Sequence, residues 1–122
     1  MDPAFAMHFA TEWIDAWNSH DLDRVLSHYA DGFEMSSPYI VVLVGEPSGT
    51  LIGKPAVEAY WRKGLSTFPD LHFELLSVLV GANSITLYYK GAGDRLAAEV
   101  LHFDAERKVS RAFAHYAIQT VP

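Results

Sequence analysis

Glu99 is the residue in this chain whose type and surroundings point most directly to chemistry. It alternates with Ala97, Leu101 and Phe103 along a run that reads as a strand, and a carboxylate on so apolar a row loses its solvation unless it is paired. Its pKa is expected to rise toward neutrality, and a neutral carboxylic acid can donate a hydrogen bond to a substrate oxygen that is gaining negative charge. The plainer outcome is a glutamate at a solvated rim, or one paired with Arg95, Arg111 or a partner chain. Tyr60, Tyr88 and Tyr116 are hydroxyls that could reach the same place, while Ser37, just before Pro38, offers a hydroxyl that is no base near neutral pH.

Other constellations carry less. The histidines His8, His20, His28, His72, His102 and His115 show no spacing that puts two on one face with a carboxylate, so no metal site is expected. Gly91-Ala92-Gly93-Asp94 opens no helix and reads as a hairpin turn rather than a phosphate cradle, and no cofactor is expected. Asp15, Asp21, Asp23 and Asp31 read as helix-surface and capping residues.

The elements that must position these groups follow from periodicity. Phe5, Phe9, Trp13 and Trp17 recur every four residues and draw one apolar stripe along a first helix that Asn18 and Ser19 end. Asp21 caps a second helix burying Leu22, Val25, Leu26 and Tyr29, with Gly32 beyond its end. Phe33, Met35 and Ser37 form the inward row of a strand. The β-branched run Tyr39 to Val44 predicts another strand, and Glu46-Pro47-Ser48-Gly49 a turn, so residues 39–53 read as a short hairpin or ordered flap. Pro55 opens a third helix with Val57, Tyr60, Trp61, Leu65 and Phe68 buried. Strands are then expected over His72 to Val80, Ser84 to Lys90, Arg95 to Phe103 and Lys108 to Ile118.

In the last strand Ser110, Ala112, Ala114 and Tyr116 share one face, and Val109, Arg111, Phe113 and His115 the other. If the Asp104 to Arg107 loop is tight and of even length, the small-residue face joins that of Ala97, Glu99 and Leu101. A pocket then forms, lined by Trp13, Trp17, Ser37, Tyr60, Trp61, Tyr88, Leu101, Ala112, Ala114 and Tyr116, with Glu99 as the acid within it. The competing reading makes the aromatics ordinary core. A shift of one residue would instead set His115 near Glu99 as an acid and base pair, whereas the expected register sends His102 and His115 outward.

The order helix, corner, helix, strand ending at a proline, carried by Ala16-Trp17-Asn18-Ser19-His20-Asp21-Leu22-Asp23 and Tyr29 through Pro38, resembles the NTF2-like superfamily in its SnoaL-like branch. Leu51-Ile52-Gly53-Lys54 and Pro69-Asp70-Leu71-His72-Phe73-Glu74 extend the likeness over nearly the whole chain. The resemblance implies an α+β fold, a cone-shaped barrel with three N-terminal helices packed on a curved, mainly antiparallel sheet. Against ketosteroid isomerase, Val100 to Val109 match without gaps, and Glu99 falls on that enzyme's protonated aspartate, a known case of a carboxylic acid held neutral. The enzyme's general base becomes Ser37 and its oxyanion-hole tyrosine becomes Trp13, so the steroid isomerase mechanism is not expected. What the family implies is a cofactor-free isomerase, lyase or cyclase acting on a carbonyl compound, or else a non-catalytic small-molecule-binding or dimeric protein-interaction domain.

Composition bounds these readings. A chain of 122 residues fits one domain with its own core, and a formal charge of −6 argues against a nucleic-acid partner. The longest apolar run, Ile40 to Val44, falls far below the roughly 20 residues of a membrane span. No cysteine is present, so disulfides and thiolate chemistry are excluded; the expected location is cytoplasmic. Residues 1–6 are either native or a cloning remnant, with Met7 as another start. Strand Arg95 to Phe103 is apolar on both faces, and a homodimer through the outer sheet face is expected to cover the second.

Overall fold

A computed structural model describes residues 1–118. Helix α1 (Pro3–Asn18) starts where Asp2 accepts a hydrogen bond from the Ala4 amide, and Pro3 occupies the first turn, where no amide hydrogen is required. Its buried side carries Ala6, Phe9, Ala10, Trp13, Ala16 and Trp17. Asp21 caps the short helix α2 (Leu22–Leu26) by accepting from the Arg24 amide. The second helix was expected to run through Tyr29 and close at Gly32, but strand β1 (Tyr29–Ser36) already begins at Tyr29. Parallel pairing with the last strand claims the backbone there: Val109 donates to the His28 carbonyl at 2.9 Å. Gly32 lies exposed within β1, in the stretch between Tyr29 and Glu34 where the register shifts.

The clearest departure from the sequence expectation is residues 38–44, which form helix α3 (Pro38–Val44) rather than a strand. Ser37 caps it by accepting from the Tyr39 amide, Pro38 is its first residue, and Gly45 ends it at φ 76°, a left-handed conformation that costs glycine nothing. Start and stop signals flanking this short segment outweigh the β preference of the Ile-Val-Val run between them. The described residues therefore hold four α-helices. Strand β2 (Thr50–Ile52) pairs back on β1, and α4 (Lys54–Thr67), with Pro55 in its first turn, buries Val57, Tyr60 and Trp61. Strands β3 (Glu74–Val80), β4 (Ser84–Lys90), β5 (Leu96–Phe103) and β6 (Val109–Tyr116) complete an open, curved sheet in the order β2-β1-β6-β5-β4-β3. Only the β1–β6 pair is parallel among the described residues.

The β5–β6 register is the one that places the site. Ala97 pairs with Tyr116, Glu99 with Ala114 and Leu101 with Ala112, which joins the small-residue row of β6 to the acid row of β5 as the even loop requires. Val109 departs from the alternation: an irregularity between His102 and Phe103 turns it inward and buries it, where strict period two had put it outside. Asn18 grips Phe73 at the entry to β3, donating to its carbonyl at 2.9 Å and accepting from its amide at 2.6 Å. No helix among the described residues is long and apolar enough to cross a membrane.

Candidate functional site

The inward row of β5 meets α1 and α4 across a recess lined by aromatic residues from both helices. Trp13 and Trp17 come from α1, Tyr60 and Trp61 from α4, Tyr89 from β4 and Tyr116 from β6, while Tyr39 and Leu43 of α3 stand at the mouth with Phe68. The recess is partly open to solvent: its cavity is about 80 Å³, and the empty space, open solvent included, is about 630 Å³. Glu99 is the sole carboxylate among the described residues that line it.

Glu99 is 4% exposed, and its Oε1 accepts a hydrogen bond from the Tyr89 hydroxyl at 3.1 Å. Burial pushes its carboxyl up from the usual 4.5 to about 7, and the Tyr89 hydrogen bond, which favours the ionised form, opposes that rise. No other hydrogen bond to the carboxyl is found among the described residues. The surrounding phenols move the same way. Burial raises Tyr60 to about 12 and holds Tyr29, Tyr89 and Tyr116 well above the ordinary phenol range, with the nearby Glu99 charge adding to each rise. All four therefore stay protonated near neutral pH, and two of them already donate, Tyr89 to Glu99 and Tyr60 to Ser37.

The expected pocket residues divide into four groups, of which Ser37, outside the lining, is the last. Trp13, Trp17, Tyr60, Trp61, Tyr116 and Glu99 line the recess. Leu101, Ala112 and Ala114 lie on the inward face but form packed core behind the lining. Tyr88 is a correction: it sits opposite Ala98 on the outer face, 37% exposed, because Ile85, Leu87 and Tyr89 are the inward row of β4. Tyr89, the residue that touches Glu99, was missed. Alternation counted from the Gly81-Ala82-Asn83 turn through Ile85 and Leu87 was the signal that could have found it.

Ser37 is buried but committed elsewhere. Its Oγ accepts from the Tyr39 amide at 3.2 Å and from the Tyr60 hydroxyl at 3.1 Å, so it caps α3 and anchors a wall residue. Trp13 is likewise engaged, donating its indole N–H to the Tyr29 hydroxyl at 2.9 Å. His115 is exposed and pairs opposite Ala98 on the outer face, which removes it as a base for Glu99. No group of three or more metal-ligating side chains is found among the described residues.

Known proteins share this frame. The model of the family described as SnoaL-like domain matches residues 10–119. A SnoaL-like protein of unknown function from Burkholderia thailandensis E264 is 60% identical, with 95% of this chain and 97% of that one covered and a TM-score of 0.92. An NTF2-like protein of unknown function from Cytophaga hutchinsonii ATCC 33406 is 12% identical over 88% and 85% of the two chains, with a TM-score of 0.64. SalBIII, described as an epoxide hydrolase/cyclase-like enzyme with a role in pyran ring formation in the polyether salinomycin, is 13% identical over 96% and 94%, with a TM-score of 0.72. At such low identity the last two speak to fold alone. A search of curated proteins finds no match.

Proposed function

The chain belongs to the SnoaL-like domain family of the NTF2-like superfamily, and from that premise we propose that its recess binds a small hydrophobic carbonyl compound for which Glu99 is the acid. The observation that carries this reading is a buried carboxyl, raised to about 7, as the one charged group among the described residues of an otherwise apolar and phenolic lining. In its neutral form Glu99 donates to the carbonyl oxygen as a proton leaves the neighbouring carbon, stabilising the developing enolate. That is the half-reaction shared by cofactor-free isomerases, lyases and cyclases. The cavity of about 80 Å³ is smaller than the roughly 150 Å³ that holds a benzene ring, so a ligand would extend into the open side of the recess. With Ser37 committed and His115 outside, the proton acceptor is a water or a group of the substrate itself. The likeness to SalBIII supports a frame on which ring-forming chemistry is accommodated.

A second reading, a non-catalytic binding domain, is favoured by that same lack of a base among the described lining residues. Two measurements separate them. Carboxyl-carbon NMR through a pH titration, with Glu99→Gln to assign the signal, should place Glu99 near 7; a value near 4.5 would put the carboxyl in water and end the acid reading. Against a panel of ketones and enones, Glu99→Gln should slow turnover by about 100-fold or more, while affinity for an unreactive ligand changes by about tenfold or less.

The same reading takes the molecule as a homodimer through the outer sheet face. Val100 and Phe113 are neighbours there on β5 and β6, with Thr86 of β4 between Val100 and the exposed Leu79 of β3 and with the exposed Tyr88 nearby, and burial of this apolar surface favours association. A monomeric mass by light scattering at micromolar concentration would remove this part of the proposal.

A further inference from the structure

Arg95 stands immediately before β5 in extended backbone, φ −79° and ψ 132°, so it continues the inward row of Ala97 and Glu99. Four residues along a strand separate its Cα from that of Glu99 by about 13 Å, with only the small Ala97 between them on that face. Its guanidinium does not line the recess but rests against two residues that do. Nε donates to the Ala117 carbonyl at 3.0 Å, Nη1 donates to the Tyr39 hydroxyl at 3.4 Å, and the carbon at its centre lies 5.4 Å over the Tyr116 ring. Tyr39 and Tyr116 both line the recess and meet edge to face at 4.7 Å. Among the described residues no carboxylate pairs with Arg95, and no acceptor engages its Nη2.

A cation with donors to spare thus stands just outside the lining, against Tyr39 and Tyr116 at one end of the recess, and a buried carboxyl lies within it. An anionic group would be repelled and desolvated beside Glu99, whereas the planar fork of arginine matches a carboxylate with two parallel hydrogen bonds. We infer that Arg95 is a specificity-determining residue that binds the carboxylate of an elongated ligand whose apolar body fills the recess and whose neutral carbonyl end meets Glu99. This rests on the ligand-binding reading of the recess. It narrows the substrate class from hydrophobic carbonyl compounds to hydrophobic keto acids.

The test is calorimetric titration of the full chain near neutral pH with para-acetylcinnamate and with its primary amide, which has the same shape and no charge. The acid should bind at least about tenfold more tightly than the amide, a preference that weakens with added salt. Arg95→Gln should abolish the preference, bringing the affinities for acid and amide together, whereas Arg95→Lys should keep part of it. Glu99→Gln should keep the preference or enlarge it, because it removes a negative charge that opposes the acid and not the amide. Equal binding of acid and amide by the unmodified protein overturns the role of Arg95 while leaving the recess a binding site. Binding of neither probe at millimolar concentration overturns the recess reading and the keto-acid inference together. The acid-to-amide ratio and its salt dependence are measured on the unmodified protein, so the test stands even where a variant fails to fold.

Discussion

Glu12, on the solvent side of α1, and Glu99, on the inward row of β5, carry the same carboxyl group and titrate in opposite directions. Glu12 accepts two hydrogen bonds of 2.6 Å from Arg24, which also reaches Asp15 at 2.7 Å, and this guanidinium holds its carboxyl down at about 2. Glu99 has no cation beside it among the described residues, only a phenol, and burial holds it up at about 7. The difference shows what makes a carboxyl useful as an acid. Glu12 has a better-bonded environment and stays ionised, while Glu99 has a poorly solvated one and keeps its proton into the neutral range. His28 sits between these cases. Its Nε2 lies 3.6 Å from Glu12, yet burial lowers its pKa despite that charge.

The largest expected effect that could break this contrast is on stability. Glu99 titrates near 7 when folded and near 4.5 when unfolded, so its contribution is fully present below about pH 4.5 and is lost as pH rises through about 7. The loss is of the order of 3 kcal/mol. Denaturant melts from pH 4.5 upward should show stability declining in the native protein and a flatter profile in Glu99→Gln. Parallel profiles for the two would mean that Glu99 is not dry. A smaller effect is expected from Tyr89→Phe. Removing a hydrogen bond that favours the ionised form should raise the Glu99 pKa further, by about one unit or less, read from the same carboxyl resonance. A downward movement would assign Tyr89 the reverse role.

The smallest effect belongs to the exposed pair. Side chains 27% and 33% accessible are well screened, so Glu12→Gln should lower the thermal midpoint at neutral pH by no more than a few degrees. Its sign is opposite to that of Glu99. The Glu12 contribution is present above about pH 4.5 and is lost as pH falls through about 2, so the deficit of Glu12→Gln should shrink in acid, and added salt should shrink it too. A deficit that persists in acid would point to lost packing against Arg24 rather than lost charge.

The placement of the candidate site's residues was legible in the sequence where a single period governed them. Period two placed Glu99 between Ala97 and Leu101 on the inward face, and an even loop joined that face to Ala112, Ala114 and Tyr116. Helical spacing placed Trp13, Trp17, Tyr60 and Trp61 over them. The errors arose where two signals competed. Residues 38–44 carry strand-forming side chains between helix-forming ends, and the ends prevail because Ser37 and Gly45 satisfy backbone groups that a β-branched interior cannot. Tyr29 satisfied the spacing of α2 but is bound into β1 through pairing with Val109 of β6, a contact so distant in sequence that no local pattern contains it. Tyr88 and Tyr89 differ only in parity, and adjacent tyrosines give no compositional reason to prefer either.

Helix α3 gives this scaffold a means to diversify. Its boundaries are set by Ser37, Pro38 and Gly45, whereas Tyr39 and Leu43 face the mouth and Val41, Val42 and Val44 face solvent. The element is a replaceable cassette: positions 39 and 43 can change the width and polarity of the opening without altering the fold's end signals or the strand that holds the acid. A change at either position would therefore alter what can enter without disturbing the strand that carries Glu99.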